Sequence, residues 1–245
     1  QIEQAEHHQA AFIGMVLFLQ NPLEVRNKEI AVGQQGHRVV LYDESSEALV
    51  NARNSFNKVF ARQVEKGTFT SAEAEEIKKR ISFAETLRGF AHCKLVVEAV
   101  VEDLSVKQEI FRQLERMVSD TCILGTNTSS LSVTSLATAC EGPGRVLGLH
   151  FFNPAPVMAL VEIVPWHGTT EETLLSATHL ITGWGKKAVR TKDTPGFIVN
   201  RVARPFYGES LRIHDEGLAD PATIDWAMKE LGGFKMGPFE LMDLI

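Results

Sequence analysis

Lys94-Leu95-Val96-Val97-Glu98-Ala99-Val100 is an apolar run interrupted by one carboxylate close to its end. It is too short and too charged to span a membrane, and it reads as a strand buried on both faces of a sheet. Similar runs recur on either side. Ala10-Ala11-Phe12-Ile13-Gly14 reads as a first strand, Arg38-Val39-Val40-Leu41-Tyr42-Asp43 as a second that ends in an acid, and Cys122 to Gly125 as another. Helical stretches separate them. From Ser46 to about Lys66 the apolar positions Leu49, Phe56, Val59, Phe60 and Val64 line one face, and Gly67 stops the helix. Thr70-Ser71-Ala72-Glu73 is a capping box that opens a charged helix through Arg80. Asp103 to about Val118 and Leu131 to Ala139 read as two more helices, and strand, helix and strand recur up to Val189. This alternation predicts an α/β fold, a Rossmann-like doubly wound and mostly parallel sheet with helices on both faces.

Composition excludes several classes of function. The chain has 245 residues, 44% hydrophobic and 23% charged, enough for one large core and a smaller one. A formal net charge of -6 gives no electrostatic reason to expect nucleic acid or an anionic membrane as partner. No basic-then-apolar signal peptide opens the chain. The three cysteines, Cys93, Cys122 and Cys140, have no metal-ligand spacing, so no metal is expected and a reducing compartment is, the cytoplasm or an organelle matrix.

Near Thr191 the composition changes. Lys192-Asp193-Thr194-Pro195-Gly196 is a turn-rich break, followed by helical segments from Phe197 to about Glu216 and from Pro221 to Leu231, the latter with Asp220 as cap. The expected division is a dinucleotide-binding sheet domain over 1–190 and an incomplete helical domain over 191–245, its last apolar residues covered by a segment beyond Ile245.

The polar residues gather where strands end. In Gly148-Leu149-His150-Phe151-Phe152-Asn153-Pro154 a histidine closes an apolar strand, and Glu162 stands inside the next apolar run, Leu160-Val161-Glu162-Ile163-Val164. An ionised carboxylate on one imidazole nitrogen would fix the tautomer and stabilise the imidazolium formed when the other nitrogen takes a proton, as alcohol oxidation requires. The same residues also fit a core histidine beside an ordinary strand glutamate. Asp43 stands where an acid accepts hydrogen bonds from an adenosine ribose, which favours NAD; a helix cap is the competing reading. Glu98, Glu102 and Lys107 follow a strand closely enough to be a cofactor-side cluster or a structural pair. Thr126-Asn127-Thr128-Ser129-Ser130 has more hydrogen-bonding side chains than a cap needs, and reads as a pocket wall.

At these residues the chain resembles the short-chain L-3-hydroxyacyl-CoA dehydrogenases, the 3-hydroxybutyryl-CoA and 3-hydroxyadipyl-CoA types among them. The resemblance rests on Val96-Val97-Glu98-Ala99, Asn127-Thr128-Ser129-Ser130, His150-Phe151-Phe152-Asn153-Pro154, Thr194-Pro195-Gly196-Phe197-Ile198-Val199-Asn200-Arg201 and Met236-Gly237-Pro238-Phe239-Glu240-Leu241-Met242-Asp243. It implies reversible NAD-dependent oxidation of an L-3-hydroxyacyl-CoA thioester to the 3-oxoacyl-CoA. By resemblance His150 is the general base and Glu162 its partner, while Ser129 and Asn200 hold the reacting oxygen. Gly14, Asp43, Glu102, Lys107, Asn127 and Asn153 fall on the cofactor side. The family also implies domain closure and a homodimer formed through the helical domain.

Two departures stand out. The family's first strand runs into a Gly-x-Gly-x-x-Gly turn that lets backbone approach the pyrophosphate. Here only Gly14 remains, followed by Met15-Val16-Leu17-Phe18-Leu19-Gln20-Asn21-Pro22 and a longer connection to Gly36. Three explanations stay open: an erroneous stretch of sequence, a true alteration that abolishes cofactor binding, and a remodelled loop that still binds. The intact runs on either side favour an error or local alteration. The second departure is Ala159, where relatives carry lysine. The competing functions are a non-catalytic, crystallin-like structural member of the family and a lysine-dependent 3-hydroxyacid dehydrogenase.

Overall fold

In the computed structural model, residues 12–17, 32, 35–152, 155 and 158–244 are described. They fall into two units, Gln1–Thr194 and Pro195–Ile245. The first holds an eight-stranded sheet of β1 (Phe12–Leu17), β2 (Arg38–Tyr42), β3 (Ile81–Phe83), β4 (Leu95–Ala99), β5 (Ile123–Thr126), β6 (Val146–Phe151), β7 (Leu160–Pro165) and β8 (Lys187–Arg190), in the order β3-β2-β1-β4-β5-β6-β7-β8. Every neighbouring pair is parallel except β6 and β7. The strand order reverses direction at β1, between β2 and β4, and such a switch point is where doubly wound sheets take their ligands.

Helices α1 (Ser46–Glu65), α2 (Ser71–Arg80), α3 (Leu104–Met117), α4 (Val133–Ala137) and α5 (Glu171–Gly183) cover this sheet. Alternate side chains of each strand point to opposite faces. Val39, Leu41, Leu95, Val97, Leu147 and Leu149 therefore pack with Phe56 and Phe60 of α1 and Leu174 and Ile181 of α5. Val40, Val96, Leu124 and Val146 pack with Ile110, Phe111 and Leu114 of α3 and Ala137 of α4. Fully burying side chains of this size stabilises the fold by about 1.5–3 kcal/mol each. Glu98, Thr126 and Gly148 continue the second of these faces towards the carboxyl ends of their strands, in register with one another.

Local chemistry sets the helix boundaries. Ser45 caps α1 through the Ala48 N–H, and Gly67 follows the helix with φ +70°. Thr70 and Glu73 form the expected reciprocal capping box. Asp103 accepts from the N–H groups of Ser105 and Val106 at the start of α3.

β1 corrects one expectation. It continues through Met15-Val16-Leu17 and pairs Gly14 with Val40 on one side and Val96 on the other, so Gly14 lies inside the ladder and not at the turn that follows it. Strand-forming residues carry the ladder on where the family pattern has glycine. The phosphate-turn segment itself, 18–31, lies outside the described residues. β3 was not foreseen; it follows α2 without a break and pairs Ile81 with Val39.

The second unit contains α6 (Val199–Asp215), α7 (Pro221–Glu230) and α8 (Pro238–Leu244). Asp220 caps α7 on the Thr223 N–H, and the buried Asp225 accepts from the N–H groups of Phe239 and Glu240 at the start of α8. Val202, Leu218, Trp226 and Leu231 are exposed. Among the described residues no helix is long and apolar enough to cross a membrane, and no group of three or more His, Cys, Asp or Glu side chains could hold a metal ion. All three cysteines are unpaired, and burial pushes each thiol up to about 12.

Gly148 is required by packing. A Cβ there would meet Val164 Cβ at 2.9 Å and Val133 Cγ2 at 3.0 Å. Gly148→Ala is expected to destabilise the fold by about 1–3 kcal/mol through overpacking, read as a lowered midpoint in thermal unfolding.

Candidate active site

The antiparallel step from β6 to β7 sets His150 directly opposite Glu162. Their side chains lie on the α3/α4 face, where the imidazole Nδ1 is 2.7 Å from Glu162 Oε2. Glu162 is fully buried and His150 is 6% exposed, so the pair sits at the edge of the interior with little water between its members. The Phe152 ring packs on the imidazole at a centroid separation of 4.5 Å.

Beside it, the loop after β5 is held from below by charge. Glu98 is fully buried in β4; its Oε1 accepts from the Val100 N–H and the Lys107 ammonium, and its Oε2 from the Thr126 hydroxyl. Lys107 is 1% exposed and also donates to the Val100 carbonyl at 3.2 Å, with Glu102 Oε2 at 3.3 Å. Its ammonium is held beneath the loop by Glu98, Val100 and Glu102, the structural pairing that the sequence also allowed. Glu102 Oε1 in turn accepts from the Thr128 hydroxyl, the Ser129 and Ser130 N–H groups and the Ser130 hydroxyl. Partial burial opposes the Glu102 charge, but the Thr128 hydroxyl, the Lys107 charge and the Ser129 N–H outweigh it and hold the carboxyl below the usual glutamate range.

Asn127 bridges strands: its N–H donates to the Glu98 carbonyl at 2.7 Å and its side-chain oxygen accepts from the Phe151 N–H at 3.0 Å. Ser129 is half-exposed, and its hydroxyl has no hydrogen-bond partner among the described residues. The Ser129 loop, His150 and Glu162 thus share one end of one face of the sheet. Asn200, the second residue of α6, belongs to the other unit. Asn153 lies outside the described residues.

At the switch point, Asp43 is 4% exposed and accepts from the Ser45 N–H at 2.8 Å. Ser45 is the cap of α1, so Asp43 stands two residues ahead of the helix and supports its cap. An acid at the carboxyl end of the strand beside β1 fits the ribose of an adenine dinucleotide.

Two residues escaped the sequence reading. Lys186 donates to the carbonyls of Ala155 and Met158. Asp193 accepts from the Ser132 hydroxyl at 3.0 Å, the Val133 N–H at 2.9 Å, and the Thr134 N–H and hydroxyl at 2.7 Å each. Its local sequence signals only a turn, and its partners are 59 to 61 residues away.

Residues 28–194 match the family model for the NAD binding domain of 3-hydroxyacyl-CoA dehydrogenase, and residues 196–245 match that for its C-terminal domain. The chain belongs to the 3-hydroxyacyl-CoA dehydrogenase family. It is 45% identical over 210 residues to the 3-hydroxyadipyl-CoA dehydrogenase of Escherichia coli K12, covering 86% of this chain and 44% of that one. It is 40% identical over 210 residues to a probable 3-hydroxybutyryl-CoA dehydrogenase of Bacillus subtilis, covering 86% of this chain and 73% of that one. The crystal structure of 3-hydroxybutyryl-CoA dehydrogenase from Escherichia coli K12 superposes with a TM-score of 0.91 at 40% identity, covering 96% of this chain and 49% of that chain. The chain therefore spans less than half the length of these Escherichia coli relatives. The family match begins at residue 28, after β1, and no glycine occurs between Gly14 and Gly33.

Two outcomes test the charge network. Lys107→Met leaves Glu98 buried without its cation and is expected to cost about 3–5 kcal/mol, whereas adding Glu98→Gln should recover most of that loss in denaturant unfolding. Because the folded Glu102 carboxyl titrates below its unfolded value, its contribution is complete above about pH 4.3 and fades as pH falls through the lowered folded value. Glu102→Gln should accordingly flatten the acid limb of stability against pH.

Proposed function

We propose that this chain performs NAD-dependent, reversible oxidation of an L-3-hydroxyacyl-CoA thioester to the 3-oxoacyl-CoA. The single observation that carries this reading is the buried 2.7 Å bond between His150 and Glu162 at the carboxyl end of the sheet. A carboxylate at Nδ1 keeps the imidazole proton there and leaves Nε2 with the lone pair that takes the substrate hydroxyl proton. Glu162 then offsets the positive charge gained by the ring. In the reverse direction His150 returns that proton to the oxygen. The Ser129 hydroxyl positions the same oxygen, with Asn200 assigned to it by family resemblance, and such positioning is worth several kcal/mol in well-oriented reactions. When bound, NAD supplies the hydride acceptor, and NADH the donor in reverse. Asp43 would hold its ribose; by family resemblance Asn153 is assigned to its nicotinamide end, Glu102, Lys107 and Asn127 to its cleft, and Gly14 to the strand leading to its phosphates.

The exposed Val202, Leu218, Trp226 and Leu231 support a homodimer formed through the second unit. The unpaired cysteines support a reducing compartment, the cytoplasm or an organelle matrix. A second reading, a non-catalytic structural member of the family, is favoured by the glycine-free stretch after Gly14. The His150–Glu162 pair argues against the lysine-dependent alternative.

The deciding measurement is NADH oxidation at 340 nm with acetoacetyl-CoA, on protein whose segment 10–36 has been verified by peptide mass spectrometry. Turnover is expected, and His150→Gln should reduce it roughly 10²–10⁴-fold with NADH affinity nearly unchanged. No turnover and no NADH binding by the verified wild type would establish the structural reading instead.

A further inference from the structure

The loop that carries Ser129 runs from the end of β5 to α4, a helix of five residues. So short a helix cannot hold its own first turn in water. Its shape comes from outside, and two carboxylates provide it. Glu102 takes four donors from Thr128, Ser129 and Ser130. Asp193 takes four from Ser132, Val133 and Thr134, and it alone gathers the first two N–H groups of α4.

The position of Asp193 adds to this. It lies after β8, in the last residues of the sheet unit, where Thr191 donates to the Ile163 carbonyl of β7 at 2.9 Å. Ile163 is the strand neighbour of Glu162. A continuous path of hydrogen bonds and short backbone therefore runs from β7, which holds Glu162, through Thr191 and Asp193 to α4 and the Ser129 loop. α4 in turn packs Val133 over Gly148, two residues before His150.

Resting on the dehydrogenase reading, we propose that Asp193 is a positioning residue of the reaction: it locks the Ser129 loop to the strand pair bearing His150 and Glu162, fixing the serine hydroxyl relative to the imidazole. It touches neither substrate nor cofactor and acts through Ser129. A residue that merely stabilises the fold would affect catalysis independently of Ser129, whereas a residue acting through it loses its effect once the hydroxyl is gone.

The test is a double-mutant cycle on the full chain with NADH and acetoacetyl-CoA, together with hydrogen–deuterium exchange. Asp193→Ala should lower kcat/KM roughly 10- to 100-fold, mainly through kcat, as misplacements remote from the chemistry do. Asp193→Asn, which keeps one accepting oxygen, should fall between it and wild type. In a Ser129→Ala background the Asp193→Ala factor should shrink to about threefold or less. Exchange should rise across 128–134 and stay unchanged across β5. Equal factors in both backgrounds, or unchanged exchange across 128–134, overturn the proposal while the dehydrogenase reading stands. A wild-type chain that does not turn over overturns that reading and takes the catalytic role of Asp193 with it.

Discussion

The register between β6 and β7 is the constraint on which the site depends. Side chains alternate along a strand, so a slip of one residue would put Val161 or Ile163 opposite His150 and turn Glu162 to the far face. That register is held by packing on both sides: Leu149 and Ile163 lie in one core, while Gly148 admits Val164 and Val133 on the other face. Placing two ionisable groups in the interior demands this rigidity, because a buried carboxylate is tolerated only while its partner stays within hydrogen-bonding distance.

The same face explains why the polar residues converge. Glu98, Thr126, Gly148 and His150 come from three adjacent strands, and their parallel pairing brings their carboxyl ends level. Polarity there is layered. Glu98, Lys107 and Thr128 form a dry foundation, Glu102 a partly exposed middle, and Ser129 the half-exposed rim. The deepest layer sets the height of the loop above it.

Much of this was legible in the sequence because it is local. The capping box at Thr70, the caps at Asp103 and Asp220, and the buried run at 94–100 each declare themselves within a few residues. His150 and Glu162 were readable as a pair because adjacent antiparallel strands bring near sequence neighbours together. The burial of Lys107 was not legible, because a lysine on a helix ordinarily reaches for water and only the tertiary position of Glu98 reveals it. Asp193 gave no signal, since a carboxylate in a Pro-Gly turn does not disclose a helix start far back in the chain. Gly14 was misplaced because a lone glycine in an apolar run fits a strand end and a strand interior equally well.

The three cysteines carry one more consequence. With their thiols held so far above neutral pH by burial, almost none is ionised in the folded chain, and the thiolate is the form that oxidants and electrophiles attack. The folded cysteines are therefore poor targets for such reagents. Damage at the buried Cys93 or Cys122 would record moments when the core had opened, a memory of past breathing and not a signal.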